Sequence, residues 1–197
     1  MSSPIILRLG LAGGRVIRVD LDADSQLPAT LSKAPPESLF VHEPWWFAQT
    51  LCFAAIRPET VHFLHLAGTE PGWRYPFEIE LIDWMTGEDF ASESAARRLQ
   101  TKIKLTDAPP GTRGVQYFRL IMADGSAQHF RVTGPTRAKA ERFALAKKIA
   151  ALPTLVARHP GGGQVAINLQ MAIAWQVLPG IVDPPPGSWT ASDIRLE

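Results

Sequence analysis

His62 and His65 stand three residues apart, with His42 and Glu43 not far upstream. On a helix, positions i and i+3 share a face, and two imidazoles joined by a carboxylate there would make a nitrogen and oxygen metal site. On a strand the same two side chains point to opposite faces and cannot share an ion. Histidines among apolar neighbours are more often satisfied core residues, so no metal ligand is assigned. A second group is acidic: Glu78, Glu80, Asp83, Glu88 and Asp89. Paired carboxylates hold magnesium or exchange protons, and Glu80 and Asp83 would share a helix face. Helix starts are acid-rich for electrostatic reasons alone, so this group carries no catalytic assignment. A third group interleaves cations and rings, namely Arg113, Tyr117, Phe118, Arg119, His129 and Arg131. That mixture suits a stacking surface for single-stranded nucleic acid. Phe118, however, falls on the inward parity of its strand and reads as core.

The lone cysteine, Cys52, lies in a run of apolar residues with no cation beside it to stabilise a thiolate. It reads as a buried, quiet core residue, and a single cysteine excludes an internal disulfide. The chain lacks GxxxxGK[ST], GxSxG, HExxH and GxGxxG. No catalytic residue and no cofactor is therefore expected.

The elements that would position these groups follow from periodicity. Leu7, Leu9 and Leu11, then Ile17, Val19 and Leu21, alternate with polar or small residues, which predicts a hairpin over 5–21. Gly13-Gly14 supplies its tight turn and is not a phosphate loop. Residues 37–105 read as mainly helical. Glu43-Pro44 opens an apolar run from Trp45 to Ile56, interrupted only by Gln49 and Thr50, and predicts a buried helix. A weaker helix is read from Pro58 to Gly68, and another from Tyr75-Pro76 to Gly87. Asp89 caps a further one carrying Ala91, Ala95, Leu99 and Ile103. A breaker at Asp107–Gly111 precedes a second hairpin, in which Phe118, Leu120 and Met122 run up to Asp124-Gly125 and Phe130 and Val132 run down. A helix at 136–152 ends at Pro153. Odd-numbered apolar residues from Val165 to Val177 would form a strand of roughly 40 Å. That is too long for this chain, so a bend or tight junction is expected at Asn168–Met171. The odd face is the expected core face, and the small or polar even face is read as free to be wet. A proline-rich tail, about 179–197, carries Trp189.

With 197 residues, 46% apolar and 20% charged, the chain is globular, and its net charge of +1 gives no global pull toward nucleic acid or membrane. That balance hides a split. Residues 20–93 hold 13 acidic and 3 basic residues, and residues 94–158 hold 13 basic and 3 acidic. The two segments are expected to touch, within one chain or between copies. Binding of nucleic acid by the basic segment is the other outcome. No apolar run reaches the ~18 residues of a membrane span, and Met1–Pro4 lacks a signal-peptide start, so a soluble cytoplasmic protein is expected.

These observations define one α+β domain over 1–197. Two hairpins and C-terminal strands form an antiparallel sheet, with a helical insertion at about 37–105 and one packed helix at 136–152. The expected function is a non-catalytic interaction or assembly module, a structural component of a larger complex, with a protein partner or self-association. Its candidate surface comprises Arg97, Arg98, Lys102, Arg119, Arg131 and Trp189. The alternatives are a nucleic-acid-binding protein using 94–158, or an enzyme with an unrecognised carboxylate or histidine site.

Overall fold

The computed structural model describes residues 5–22, 24–41, 43–49, 52–69, 72–74, 81–101, 112–135 and 148–178. Alternation builds its first pair of strands. β1 (Ile5–Gly10) runs antiparallel to β2 (Val16–Leu21), with Leu7 opposite Val19. Gly13 and Gly14 both take φ near +70°, which glycine alone adopts without strain. A short helix, α1 (Leu27–Lys33), follows, with Pro28 in its first turn.

The region read as helical is mostly strand. β3 (Trp45–Gln49) and β4 (Cys52–Ile56) pair as a separate two-stranded sheet, Trp46 opposite Ala55. A continuous apolar run has no period of its own, so it suits a buried helix and a buried strand alike. The discriminating signals are its four aromatic rings, which favour strands, and the polar Gln49 at which the first strand ends. Beyond Ile56, Pro58–Thr60 is a single 3-10 turn that leads into β5 (Phe63–Ala67). β6 (Leu81–Met85) replaces the helix expected to end at Gly87, and residues 75–80 lie outside the described chain. The longest helix among the described residues, α2 (Gly87–Thr101), begins two residues before Asp89, the expected cap, which lies inside its first turn. Its capping oxygen belongs to Thr86, however. Thr86 Oγ1 accepts the Asp89 N–H at 3.1 Å, as a capping threonine does, and donates to the Asp89 carboxylate at 2.7 Å.

β7 (Arg113–Met122) and β8 (Ala127–Pro135) pair antiparallel around Asp124-Gly125. Of the helix expected at 136–152, residues 148–150 are helical and 136–147 lie outside the described residues, as does the tail from 179. β9 (Thr154–Arg158), β10 (Gln164–Asn168) and β11 (Ala172–Leu178) complete the order. The long odd-parity strand breaks at a 3-10 turn, Leu169–Met171.

Nine strands form one sheet in the order β11-β7-β8-β6-β9-β10-β5-β1-β2. The sheet is mixed, which corrects the antiparallel expectation: β6 and β9 are parallel, bridged at Asp83 and Arg158. The segment from 37 to 105 is also no insertion, because β5 and β6 lie inside the sheet and β5 pairs with β1. The sheet must curl. β10 lies five strand spacings from β11, about 24 Å across a flat sheet. The three residues joining them reach roughly 14 Å even when extended. The junction is tied on both sides, by Leu169 N–H to Pro153 O and Ala123 N–H to Met171 O. The turns of the two hairpins also meet, Gly13 N–H donating to the Asp124 carboxylate. Bonds from Ser126 and then Gly13 hold that carboxyl down to about 2.

Two apolar clusters result. Ile82, Phe118, Leu120, Met122, Phe130, Leu155, Val165 and Ile167 fill the curled half. Leu7, Leu9, Leu31, Phe40, Leu64, Leu66 and Trp73 pack against the other face. β9 and β10 supply both clusters: Val165 and Ile167 face one, Ala166 the other. The even face of β10 is therefore not wet. Ala166 and Asn168 are fully buried, and Asn168 Nδ2 donates to Val61 O at 3.1 Å. Trp175 packs against the curled half's core, but Ile173 is 68% exposed because the pairing of β11 shifts between Ala172 and Ala174.

Candidate functional site

One row of side chains crosses four strands of the sheet. Tyr117 on β7 is opposite Arg131 on β8, Arg131 is opposite Asp83 on β6, and Asp83 is bridged to Arg158 on β9. Cross-strand partners share a face, so register alone assembles the group. Asp83 is 7% exposed. Arg131 donates to its Oδ2 from Nη2 at 2.8 Å and from Nε at 3.2 Å. Arg158 Nε and Nη2 reach its Oδ1 at 2.8 and 2.7 Å. Glu93, from α2, accepts from Arg131 Nη1 at 3.3 Å and from the Tyr117 hydroxyl at 3.1 Å. The Asp83 hydrogen bond, with help from Glu93, raises the pKa of Arg131 further above its ordinary value.

Beside this row lies an open cleft of about 390 Å³, lined by Trp84, Met85, Asp89, Arg158, His159 and Gly162 among others. His159 stacks on His65 of β5, ring centres 3.8 Å apart, and meets Trp84 edge-on at 5.2 Å. His65 Nε2 lies 2.9 Å from Gly162 O, to which it donates in the neutral ring, while its buried Nδ1 has no hydrogen-bond partner. Burial lowers the pKa of His65, and Arg8 adds to the effect. Burial first, then His65 and Arg8, pushes His159 down to about 4. Both rings are neutral at pH 7, and His159 Nδ1 accepts the Gly161 N–H at 2.9 Å.

This chemistry is occupied. Both oxygens of Asp83 are taken by guanidinium groups, Asp89 is taken by the helix cap, and Glu93 by Arg131 and Tyr117. Glu88 sits exposed on α2, and Glu78 and Glu80 lie outside the described residues. His62 and His65 diverge as strand neighbours do. His62 is buried with Nδ1 3.9 Å from the Asp124 carboxylate, whereas His65 turns to His159. His42 lies outside the described residues, and among those described no group of three or more His, Cys, Asp or Glu is placed to hold a metal.

Of the six residues of the expected interaction surface, only Arg119 and Arg131 have described side chains. Arg131 is bound up in the row, so it is not a free surface cation. Arg119 is half-buried, its Nε shielded and without a hydrogen-bond partner. Arg97 and Arg98 belong to α2, but their side chains lie outside the described residues, as do Lys102 and Trp189. The stacking surface is likewise corrected: Tyr117 and Phe118 are both buried. Cys52 sits on β4 rather than a helix, and its side chain lies outside the described set. Sequence reasoning missed Glu93, Arg158 and the His65–His159 stack. The one available signal was Arg158-His159-Pro160 standing directly before three glycines, a turn bounded by chemistry-bearing residues.

The acidic and basic segments do meet within one chain, through Asp83 and Glu93 on one side and Arg131 and Arg158 on the other. Among the described residues no helix is long and apolar enough to cross a membrane. No protein-family model matches the chain, and comparison with curated proteins and with solved structures gives no significant match.

Proposed function

We propose that this chain is a non-catalytic assembly module that binds another protein subunit through the β3–β4 hairpin. The observation that carries this reading is Trp46, which is 60% exposed on a two-stranded sheet that is not paired with the main one. Trp45, Phe47 and Ile56 pack the hairpin onto the core, while Trp46 and its cross-strand partner Ala55 are the more exposed pair. A lone two-stranded hairpin is marginal in water, and tryptophan is the side chain most enriched where interfaces concentrate their energy. The partner is therefore a protein with a complementary apolar pocket. The nucleic-acid alternative loses two of its cations, Arg131 and Arg158, to internal ion pairs.

Photo-crosslinking in cells tests the reading. A benzophenone amino acid at position 46 is expected to give one discrete adduct, and the same group at exposed Asp24 none. Equal labelling at the two positions would sink the proposal.

A further inference from the structure

β2 forms one edge of the nine-stranded sheet, and among the described residues its strand partner is β1 alone. An edge strand presents a row of backbone donors and acceptors that template pairing with another strand. The phase of that row can be read. Leu11 N–H donates to Arg15 O at 2.8 Å, which makes 11 and 15 a hydrogen-bonded pair in the register that continues through Leu9–Ile17 and Leu7–Val19. Hydrogen-bonded pairs alternate along an antiparallel ladder. Ile17, Val19 and Leu21 therefore direct their N–H and C=O groups to β1. Val16, Arg18 and Asp20 direct theirs outward, to the open edge.

We propose that β2 pairs antiparallel with β2 of a second copy of this chain, about a twofold axis at Val19. In that register Arg18 lies opposite the partner's Asp20, and Asp20 opposite the partner's Arg18. All four residues use their outward backbone groups, and with Val16 and Asp22 included the edge makes roughly four to eight hydrogen bonds. Ile17 meets the partner's Leu21, and Val19 meets the partner's Val19. These side chains already pack on the first core cluster, so its apolar face runs on across the junction. Charge selects the register. Shifting the axis by one residue keeps the backbone pairing but sets Arg18 against the partner's Arg18, or Asp20 against the partner's Asp20, and like charges directly opposite are destabilising. Arg18 and Asp20 are already paired at 2.8 Å within the strand, both well exposed. The exchange across the axis conserves their ion pairs, as an isologous contact requires.

This inference goes beyond the hairpin reading, by naming a second copy of this chain as partner and the β2 edge, in the other sheet, as the contact. Sedimentation equilibrium of the full chain at about 1–100 µM tests it. The wild type is expected to associate as a dimer, and Asp20→Arg to raise the dissociation constant at least tenfold. The double swap Arg18→Asp with Asp20→Arg should restore it. Arg18→Pro removes one outward N–H and leaves the ladder to β1 intact, so it should give a folded monomer by circular dichroism, which separates lost pairing from lost folding. A wild type that stays monomeric at 100 µM overturns the proposal, as does a double swap that fails to recover dimerisation. Association that survives Asp20→Arg but is lost in Trp46→Ser also overturns it, while leaving the hairpin reading standing. Loss of the adduct at position 46 with intact β2 pairing does the reverse.

Discussion

Replacing Asp83 by alanine leaves two guanidinium groups facing each other across β6 with no anion between them. Removing one member of a buried ion pair costs about 3–5 kcal/mol, because the remaining charge is stranded. Here the stranded charges are not fully buried: the side chains of Arg131 and Arg158 are 36% and 55% exposed. Arg131 also keeps Glu93. Water and Glu93 together reduce the expected cost to about 2–3 kcal/mol. The two arginines should differ. Both make two contacts to Asp83, but Arg158 is the more exposed and makes a surface-like pair, for which about 0.2–1 kcal/mol of coupling is usual, whereas Arg131 is less exposed beside Glu93 of α2 and should couple to Asp83 by about 1–2 kcal/mol. Urea unfolding of Asp83→Ala, Arg131→Met, Arg158→Met and the two double variants gives both couplings by double-mutant cycles. With a slope of about 1–3 kcal/mol/M, the Asp83→Ala midpoint should fall by roughly 0.7–3 M. A cost below about 0.5 kcal/mol, or strict additivity of Asp83→Ala with Arg131→Met, would refute the reasoning. The row would then be a set of solvated surface pairs.

Acidification should weaken the fold in a defined window. His65, His129 and His159 all bind protons less readily when folded than when free. Their contribution is whole above 6.5 and declines as pH falls below it, that of His159 being lost as pH falls through about 4. Asp124 gives way lower, between 3.8 and about 2. Melting temperatures from pH 7.5 to 4.5 should fall, less steeply in His159→Gln, and a flat profile would contradict the neutral stack. Gly10→Ala should cost about 1–3 kcal/mol by overpacking, since its Cβ would stand 2.1 Å from the Phe63 ring, and Phe63→Leu in the same chain should recover part of the loss. Trp175→Ala should cost about 2–3 kcal/mol in the same unfolding assay, below the ~3–5 kcal/mol of a fully enclosed ring, because Trp175 is part-exposed where it packs against the core. Wild-type stability in that variant would mean that Trp175 belongs to a binding face rather than to the core.

Local signals lie where local structure formed. Alternation and glycine placement are properties of a few neighbouring residues, and the pairs β1–β2 and β7–β8 stand where those signals are. The excessive length of the odd-parity run from Val165 pointed to a break, and the 3-10 turn at Leu169–Met171 supplies it. The existence of α2 was also legible from its acidic first turn, but its cap was misplaced by three residues, from Thr86 to Asp89. The run from Trp45 to Ile56 was not legible. Its apolar residues have no period, and helix against strand was decided by which surface was available to cover them. The faces of β10 show the same limit. Ala166 and Asn168 look dispensable in sequence, yet both are buried because β9, β10 and β5 lie at the middle of a sheet covered on two sides. The Asp83 row depends most on tertiary structure. Its members come from positions 83, 93, 117, 131 and 158, and only strand order and register bring them within hydrogen-bond distance. Composition had separated the acids from the bases along the chain. Folding then placed some of each on adjacent strands, where a short distance and partial burial make their attraction count.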